Sequence, residues 1–303
     1  MKNQRPHCSP CKRVLAIGIA CLILCTPSIS FGWGAGGHMM TAQIAFNRLN
    51  PNAKAKVAEL LAIDINPSAV TAKSTDFVNA SHWADDLRPF SEFDSLKALH
   101  FIDKPFPPGA HLPDIDPENI VKALHDNVEI LKTSTDKNAQ AQALRLIIHF
   151  VGDIHQPLHC STRVTGANPD GDRGGNLFKL KLMKNGKVQN SNLHSYWDGG
   201  IGAFPPTGEN FAPPPLPSVV RAANQAKAAN PPTNPALKLD DPFNFEAWSE
   251  ESFNLAKNTA YAGIKSGGTP TAAYNKKALR VARQRVAWGG YRLAALLNAI
   301  WPE

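Results

Sequence analysis

Two histidine–aspartate pairs, His149…Asp153 and His194…Asp198, constrain this 303-residue chain more than any other feature. A spacing of four puts both side chains of a pair on one face of a helix, where they can bite a single metal ion. One such pair on an amphipathic helix reads as a surface contact. Two pairs with His159 between them read as a metal cluster. Imidazole and carboxylate ligands without thiolate suit zinc, bound at about 2.0–2.2 Å.

The first 32 residues form a separate object. Lys2, Arg5, Lys12 and Arg13 make a charged start, Val14 to Leu24 an apolar run, and Ser30-Phe31-Gly32 a small-residue cleavage site. Residues 1–32 are therefore expected to be a signal peptide removed before Trp33. The apolar run is too short to span a bilayer, which needs about 20 residues. Gly18-Ile19-Ala20-Cys21 loosely resembles a lipobox, and that route would leave Trp33 internal. Export to the periplasm or the medium follows from either pattern.

Without the leader the net charge falls from +7 to +3, with 28 basic residues against 25 acidic ones. The basicity belongs mostly to the export signal, and no basic stripe with interleaved aromatics stands out. A nucleic-acid-binding module without chemistry is thereby disfavoured. Cys8, Cys11, Cys21 and Cys25 leave with the leader, so Cys160 alone remains and no internal disulfide can form. Cys160 reads as a small buried filler beside His159 rather than a ligand. Stability must come from a large core and from bound metal.

Residues 33–303 read as one all-α domain. Apolar residues recur at helical spacing in Met39–Leu49, Ala53–Leu61, Asn119–Leu131 and Ala139–Asp153. Further helices are expected at Phe245–Lys257 and at about Asn275–Ile300, the last interrupted or tightly packed at Gly289-Gly290. One short β-hairpin is expected, from Leu177–Leu182 through the Asn185-Gly186 turn. The Pro-rich stretch of about 204–235 reads as a surface loop or insertion with one short helix at most, Ser218–Ala228.

Cleavage before Trp33 would expose an α-amine five residues from His38. Such an amine titrates near 7.7–8.0, so a metal can displace its proton and take the nitrogen with the first carbonyl as a chelate. Farther on stand Trp83-Ala84-Asp85, with Arg88 three residues on, and Leu99-His100-Phe101-Ile102-Asp103. Then come His149-Phe150-Val151-Gly152-Asp153, Gln156-Pro157-Leu158-His159, Gly174-Gly175-Asn176, Asn192-Leu193-His194-Ser195-Tyr196-Trp197-Asp198 and Gly289–Ala294. Taken in order over residues 33–303, these elements resemble the zinc-dependent S1/P1-type nucleases, which share a phospholipase C-like helical fold.

The resemblance implies three zinc ions. One would be held by Asp85, His100, His149 and Asp153; a second by His159, His194 and Asp198. The third would take the Trp33 amine and carbonyl, His38 and the other oxygen of Asp153. It further implies hydrolysis of single-stranded DNA and RNA to 5′-phosphate products by a metal-bound hydroxide, with 3′-nucleotidase activity. Arg88, Asp85 and Asp153 would carry the chemistry, Arg88 by gripping phosphate oxygens. Phe101, Asp103 and Asn176 would meet the substrate; burial of Phe101 in the core, or a structural ion pair of Arg88 with Asp85 or Asp86, are the competing accounts. His155 is left out because Pro157 ends the helix between it and His159. His82, His111 and His125 lack partners at metal spacing, and Trp83, Trp197 and Trp288 are expected to pack around the cluster.

The expected partners are single-stranded nucleic acid and nucleotides as substrates, with no stable membrane insertion after processing and a monomeric chain. Two alternatives share the metal reading. A zinc-dependent phospholipase C has Glu at the end of its last ligand pair, where this chain has Asp198. A non-catalytic zinc-binding envelope protein would carry a His-rich loop, whereas these ligands are spread over the whole chain.

Overall fold

The computed structural model describes Met1 and residues 33–65, 75–107, 112–208 and 212–303. The expected signal peptide and His111 lie outside that set, Met1 apart. The described chain is 55% helical with only 7% strand, so the expected class holds.

Most of the long helices begin where the sequence supplies a side-chain cap, those at Ala35–Phe46 and Leu216–Ala229 being exceptions. Gly34 precedes α1 (Ala35–Phe46). Asn50 accepts from the backbone N–H of Ala53 at the start of α2 (Pro51–Leu61), with Pro51 at the position whose amide needs no partner. Two single-turn helices follow, α3 (Phe77–Ala80) and α4 (Trp83–Asp86), and then a 3₁₀ helix, Ser91–His100. Asn119 and Asp136 cap α5 (Ile120–Thr133) and α6 (Lys137–Ile154) in the same way as Asn50. As expected, α6 stops before Pro157, and a 3₁₀ turn, Pro157–Cys160, continues the chain. Then come α7 (Leu193–Asp198), α8 (Leu216–Ala229) and α9 (Phe245–Leu255). A π-helical turn, Ala256–Ala260, links α9 towards α10 (Ala272–Ile300), which Thr271 caps.

Strands are few. A parallel pair joins β1 (Pro105–Phe106) to β2 (Thr162–Arg163), a contact too short to leave a trace in the sequence. The expected hairpin is present as β3 (Lys179–Lys184) and β4 (Lys187–Asn192). Its turn residues Asn185 and Gly186 both have positive φ, 50° and 72°, which Asn-Gly tolerates at little cost.

Gly289 and Gly290 do not interrupt α10; they let it lie against α1. A Cβ on Gly290 would stand 2.6 Å from Ile44 Cβ and 2.8 Å from the Thr41 carbonyl. The Pro-rich stretch is also less of a loop than expected. In α8 the residues Val219, Ala223 and Ala226 recur at i, i+4 and i+7 and are buried against α1 and α10. Two apolar clusters result, one around α2, α5 and α6, the other around α1, α7, α8 and the first half of α10. The elements that carry the His/Asp pairs draw on both.

Candidate metal centre and its cleft

The last two turns of α6 carry His149 and Asp153 inward, both fully buried. His149 Nδ1 lies 2.7 Å from the Ser81 carbonyl and donates to it, which turns Nε2 towards the centre. There it stands 3.0 Å from Asp153 Oδ2 and 3.7 Å from Asp85 Oδ1. His100, at the end of its 3₁₀ helix, brings Nδ1 to 2.9 Å from the same Asp153 oxygen. His38, from the first turns of α1, stacks on His149 with ring centroids 4.0 Å apart. Its Nε2 is 3.2 Å from the other Asp153 oxygen, Oδ1. Asp153 therefore turns one oxygen to His100 and His149 and the other to His38. Gly152 makes room for this: a Cβ there would stand 2.5 Å from His38 Nδ1.

The second group is built alike. His159 Nδ1 donates to the His100 carbonyl and His194 Nδ1 to the Gly174 carbonyl, each at 2.7 Å. The two Nε2 atoms then face each other at 3.1 Å, an approach that a cation held between them would satisfy. Asp198 completes the group, with Oδ1 3.6 Å from His194 Nε2. Gln156 Nε2 donates to that oxygen at 2.7 Å and the Gln156 Oε1 caps the 3₁₀ turn.

The chemistry of the donors fits a divalent cation. Nδ1 of His38 and Nε2 of His100 are buried without a hydrogen bond. Each such atom costs about 1–3 kcal/mol unless something pairs with it. Burial, aided by His149, pulls His38 down to about 4; burial and Arg88 pull His100 to about 4; burial and His159 pull His194 to about 3. These rings are neutral and free to ligate. At His149 burial is outweighed by Asp153 and Asp85, and the ring is pushed up to about 9. A proton there offsets the acidic charge as a metal would.

Three groups of side chains have candidate ligand atoms within 4.8 Å of one another: His100, His149 and Asp153; His38, Asp85 and His149; His159, His194 and Asp198. The first and last follow the expected division. The middle one adds that Asp85 reaches His38 as well as His149. Trp33 is fully buried one turn ahead of His38, against Phe204. The amide of Gly34 donates to the Asp198 carbonyl at 3.0 Å, which ties this start of the fold to α7.

A cleft of about 540 Å³ opens beside the second group. Arg88, Phe101, Asp103 and Asn176 all line it with His159 and His194, so the structure gathers the expected substrate-facing residues around the metal ligands. Phe101 is 37% exposed, which removes the account of it as core. Arg88 Nε lies 2.9 Å from Asp85 Oδ1, an ion pair that aims the rest of the guanidinium along the cleft wall. Burial and the nearby Asp172 push the Asp103 carboxyl up to about 7, against Arg173. Asn176 is held by its own turn, its Nδ2 donating to the Arg173 carbonyl at 2.8 Å.

Among the described residues set aside, His82 departs from the expectation, since it does have a partner four residues on. His155 Nδ1 donates to the Val151 carbonyl and its Nε2 accepts from Arg292. His82 pairs with Asp86 and His125 with Glu246. Cys160 is buried, and burial pushes its thiol up to about 12. Trp83, Trp197 and Trp288 are all buried, Trp197 donating to the Tyr274 hydroxyl. Three cleft or ligand-positioning residues escaped the sequence reading: Gln156, Lys97 and Arg173. Gln156 stood inside the matched Gln-Pro-Leu-His element without a role. Lys97, on a 3₁₀ helix, and Arg173, in a turn, left no signal, since isolated basic residues have no periodicity to read.

Gln156→Leu removes the donor to Asp198 at similar volume. It is expected to weaken zinc binding at the His159, His194 and Asp198 group by about 10–100-fold, the usual cost of losing a partner of a metal ligand. Competition with a chromogenic chelator measures this; unchanged affinity would remove Gln156 from the positioning set.

Residues 33–302 match the model of the S1/P1 nuclease family. The chain is 28% identical to Endonuclease 1 of Arabidopsis thaliana, over 97% of this chain and 95% of that protein. It is 25% identical to Nuclease S1 of Aspergillus oryzae, over 95% and 98%. Nuclease P1 of Penicillium citrinum is 28% identical over 55% of this chain and 57% of its own. A match that starts at Trp33 and runs to the end of the last helix, over every residue of the buried centre, makes the chain a member of the S1/P1 nuclease family, enzymes that act on the phosphodiester bonds of nucleic acids.

Proposed function

We propose that the protein hydrolyses single-stranded DNA and RNA to 5′-phosphate products and removes 3′-phosphates from nucleotides, using three zinc ions. The observation that carries the metal reading is the close approach of the His159 and His194 Nε2 atoms, 3.1 Å apart beside Asp198. Asp85, His100, His149 and Asp153 would hold one ion, His159, His194 and Asp198 the second. His38, the second oxygen of Asp153 and the Trp33 amine and carbonyl would hold the third. Zinc bound there supplies a water acidified to near neutrality and positive charge against the phosphate.

The protein's own groups do the rest. Arg88 binds non-bridging phosphate oxygens, and its grip tightens as charge builds on phosphorus. Asp85 fixes the Nε edge of that guanidinium at the cleft wall. Phe101 offers its exposed ring to a base, a contact worth about 1–3 kcal/mol in single-strand binding. Asp103, half-buried, and Asn176 line the same cleft and would meet the base edge. A duplex base has no free face to give Phe101, which favours unpaired strands.

The third ion rests on processing before Trp33, and with it on export to the periplasm or the medium. The family match beginning at Trp33 supports this reading. Protein made with one extra alanine before Trp33 is expected to bind zinc at this position at least about 10-fold more weakly, the smallest loss seen for even an outer partner of a ligand. Zinc content at limiting free metal measures it; full occupancy would refute the chelate. For the function as a whole, one preparation assayed on single-stranded DNA, RNA, 3′-mononucleotides and phosphatidylcholine is decisive. Cleavage of the first three and not the lipid is expected. Lipid hydrolysis alone would point to a phospholipase, and metal without any turnover to a zinc-binding protein.

A further inference from the structure

We infer that the outward face of α10 is a docking track for the phosphate backbone of a polynucleotide, separate from the metal centre. α10 carries six basic residues and no acidic one. Two of them, Arg285 and Arg292, turn inward and share the Glu251 carboxylate. The other four, Lys276, Lys277, Arg280 and Arg283, line a surface groove of about 560 Å³ together with Leu255 and Thr259. Among the described residues none of these four takes part in a recorded ion pair; Lys277 donates instead to the Asn258 carbonyl at 2.9 Å. In the linear sequence they form no run. Helical spacing collects them, with Lys276, Arg280 and Arg283 at i, i+4 and i+7. Like charges at that spacing destabilise a helix slightly, so the array calls for an anionic counterpart.

Both length and surroundings favour a nucleic-acid strand. Lys276 and Arg283 are about 10.5 Å apart along the axis at ~1.5 Å per residue, the length of roughly three stacked nucleotides at ~3.4 Å each. A membrane-binding face would add large apolar side chains for insertion. Among the described residues, the exposed large hydrophobics lie elsewhere, none of them on α10. A chain of hydrogen bonds links the groove to the cleft wall. The π-helical turn Ala256–Ala260 accepts Lys277 at Asn258, and the next residue, Tyr261, donates to Asp172 Oδ1 at 2.8 Å. Asp172 in turn holds the amides of Arg163 and Gly175, in the segment that forms the cleft wall. A strand whose scissile phosphate sits in the cleft can lay its flanking nucleotides on this face.

The inference rests on the nuclease reading for its substrate, and the test separates the two. The processed, zinc-loaded enzyme is compared with a Lys276→Gln/Lys277→Gln/Arg280→Gln/Arg283→Gln variant, on a long single strand and on a dinucleotide. The variant is expected to raise KM for the long strand about 10-fold at low salt and to flatten the salt dependence of strand binding by about 2–3 in log–log slope, at ~0.7 per lost contact. Its kcat/KM for the dinucleotide should match the parent. An unchanged slope and KM on the long strand, or equal losses on both substrates, would overturn the track. If the parent cuts neither substrate, the functional reading fails, while anisotropy of a labelled strand still reports the slope. Loss of binding to phosphatidylglycerol vesicles with strand binding intact would assign the face to lipid and overturn the inference. Should the quadruple variant unfold, Lys276→Gln/Arg280→Gln, with half the change in slope, takes its place.

Discussion

Replacing Asp153 with Asn is expected to strip metal from the centre and lower kcat by at least about 10²- to 10³-fold, the loss usual for a single group that stabilises transition-state charge. The substitution conserves volume and one oxygen, so packing is not the issue. What changes is charge and the number of acceptors. Asp153 turns one oxygen to His100 and His149 and the other to His38. No other carboxylate in the centre faces both sets of histidines so closely. An amide nitrogen in place of either oxygen would present hydrogens to imidazole lone pairs or to a cation. Because the centre's buried acceptors lose their shared counter-charge, stability should fall together with metal content. Zinc analysis, thermal unfolding and turnover on single-stranded DNA, made on one sample, read all three. A variant that keeps its zinc and full activity would refute the bridging role.

Arg88→Ala is expected to do the opposite to metal and much the same to rate. Zinc should stay bound, because Arg88 is not a ligand, while kcat falls about 10²–10³-fold with the loss of a donor to the charged transition state. Arg88→Lys should recover only part of this, since a point charge cannot grip two phosphate oxygens in a fixed fork. The competing account is a structural ion pair with Asp85, to which the 2.9 Å contact lends weight. That account predicts lower thermal stability with kcat intact. The partition of the effect between melting temperature and kcat therefore decides between them.

The long elements were legible because they obey simple rules. α6 has a cap at Asp136, apolar residues at helical spacing and a proline just past its end, and its His149…Asp153 pair stands on one face as the spacing requires. The hairpin announced itself through Asn185-Gly186. What escaped was whatever depends on distant partners. α3 and α4 are too short to show a period, and β1 and β2 pair over two residues across more than fifty positions of sequence. α8 was expected only as a short helix, Ser218–Ala228, and its packing was not legible because its buried stripe is mostly alanine, which carries little hydrophobic signal. At the site, the resemblance named eight candidate ligand side chains, and the structure gathers them into groups that could hold a metal ion. Gln156 became visible only when Asp198 came within 2.7 Å of it, and the basic face of α10 only once the helix had wound.

The central claim is that eight His and Asp side chains and the amino end of the processed chain form one metal-dependent hydrolytic centre. Metal analysis of the exported, N-terminally sequenced protein, coupled to single-strand cleavage before and after chelation, tests it most directly. The account predicts three zinc ions per chain, an N-terminus at Trp33, loss of cleavage on chelation and recovery when zinc is restored. Full cleavage by protein freed of metal would contradict it.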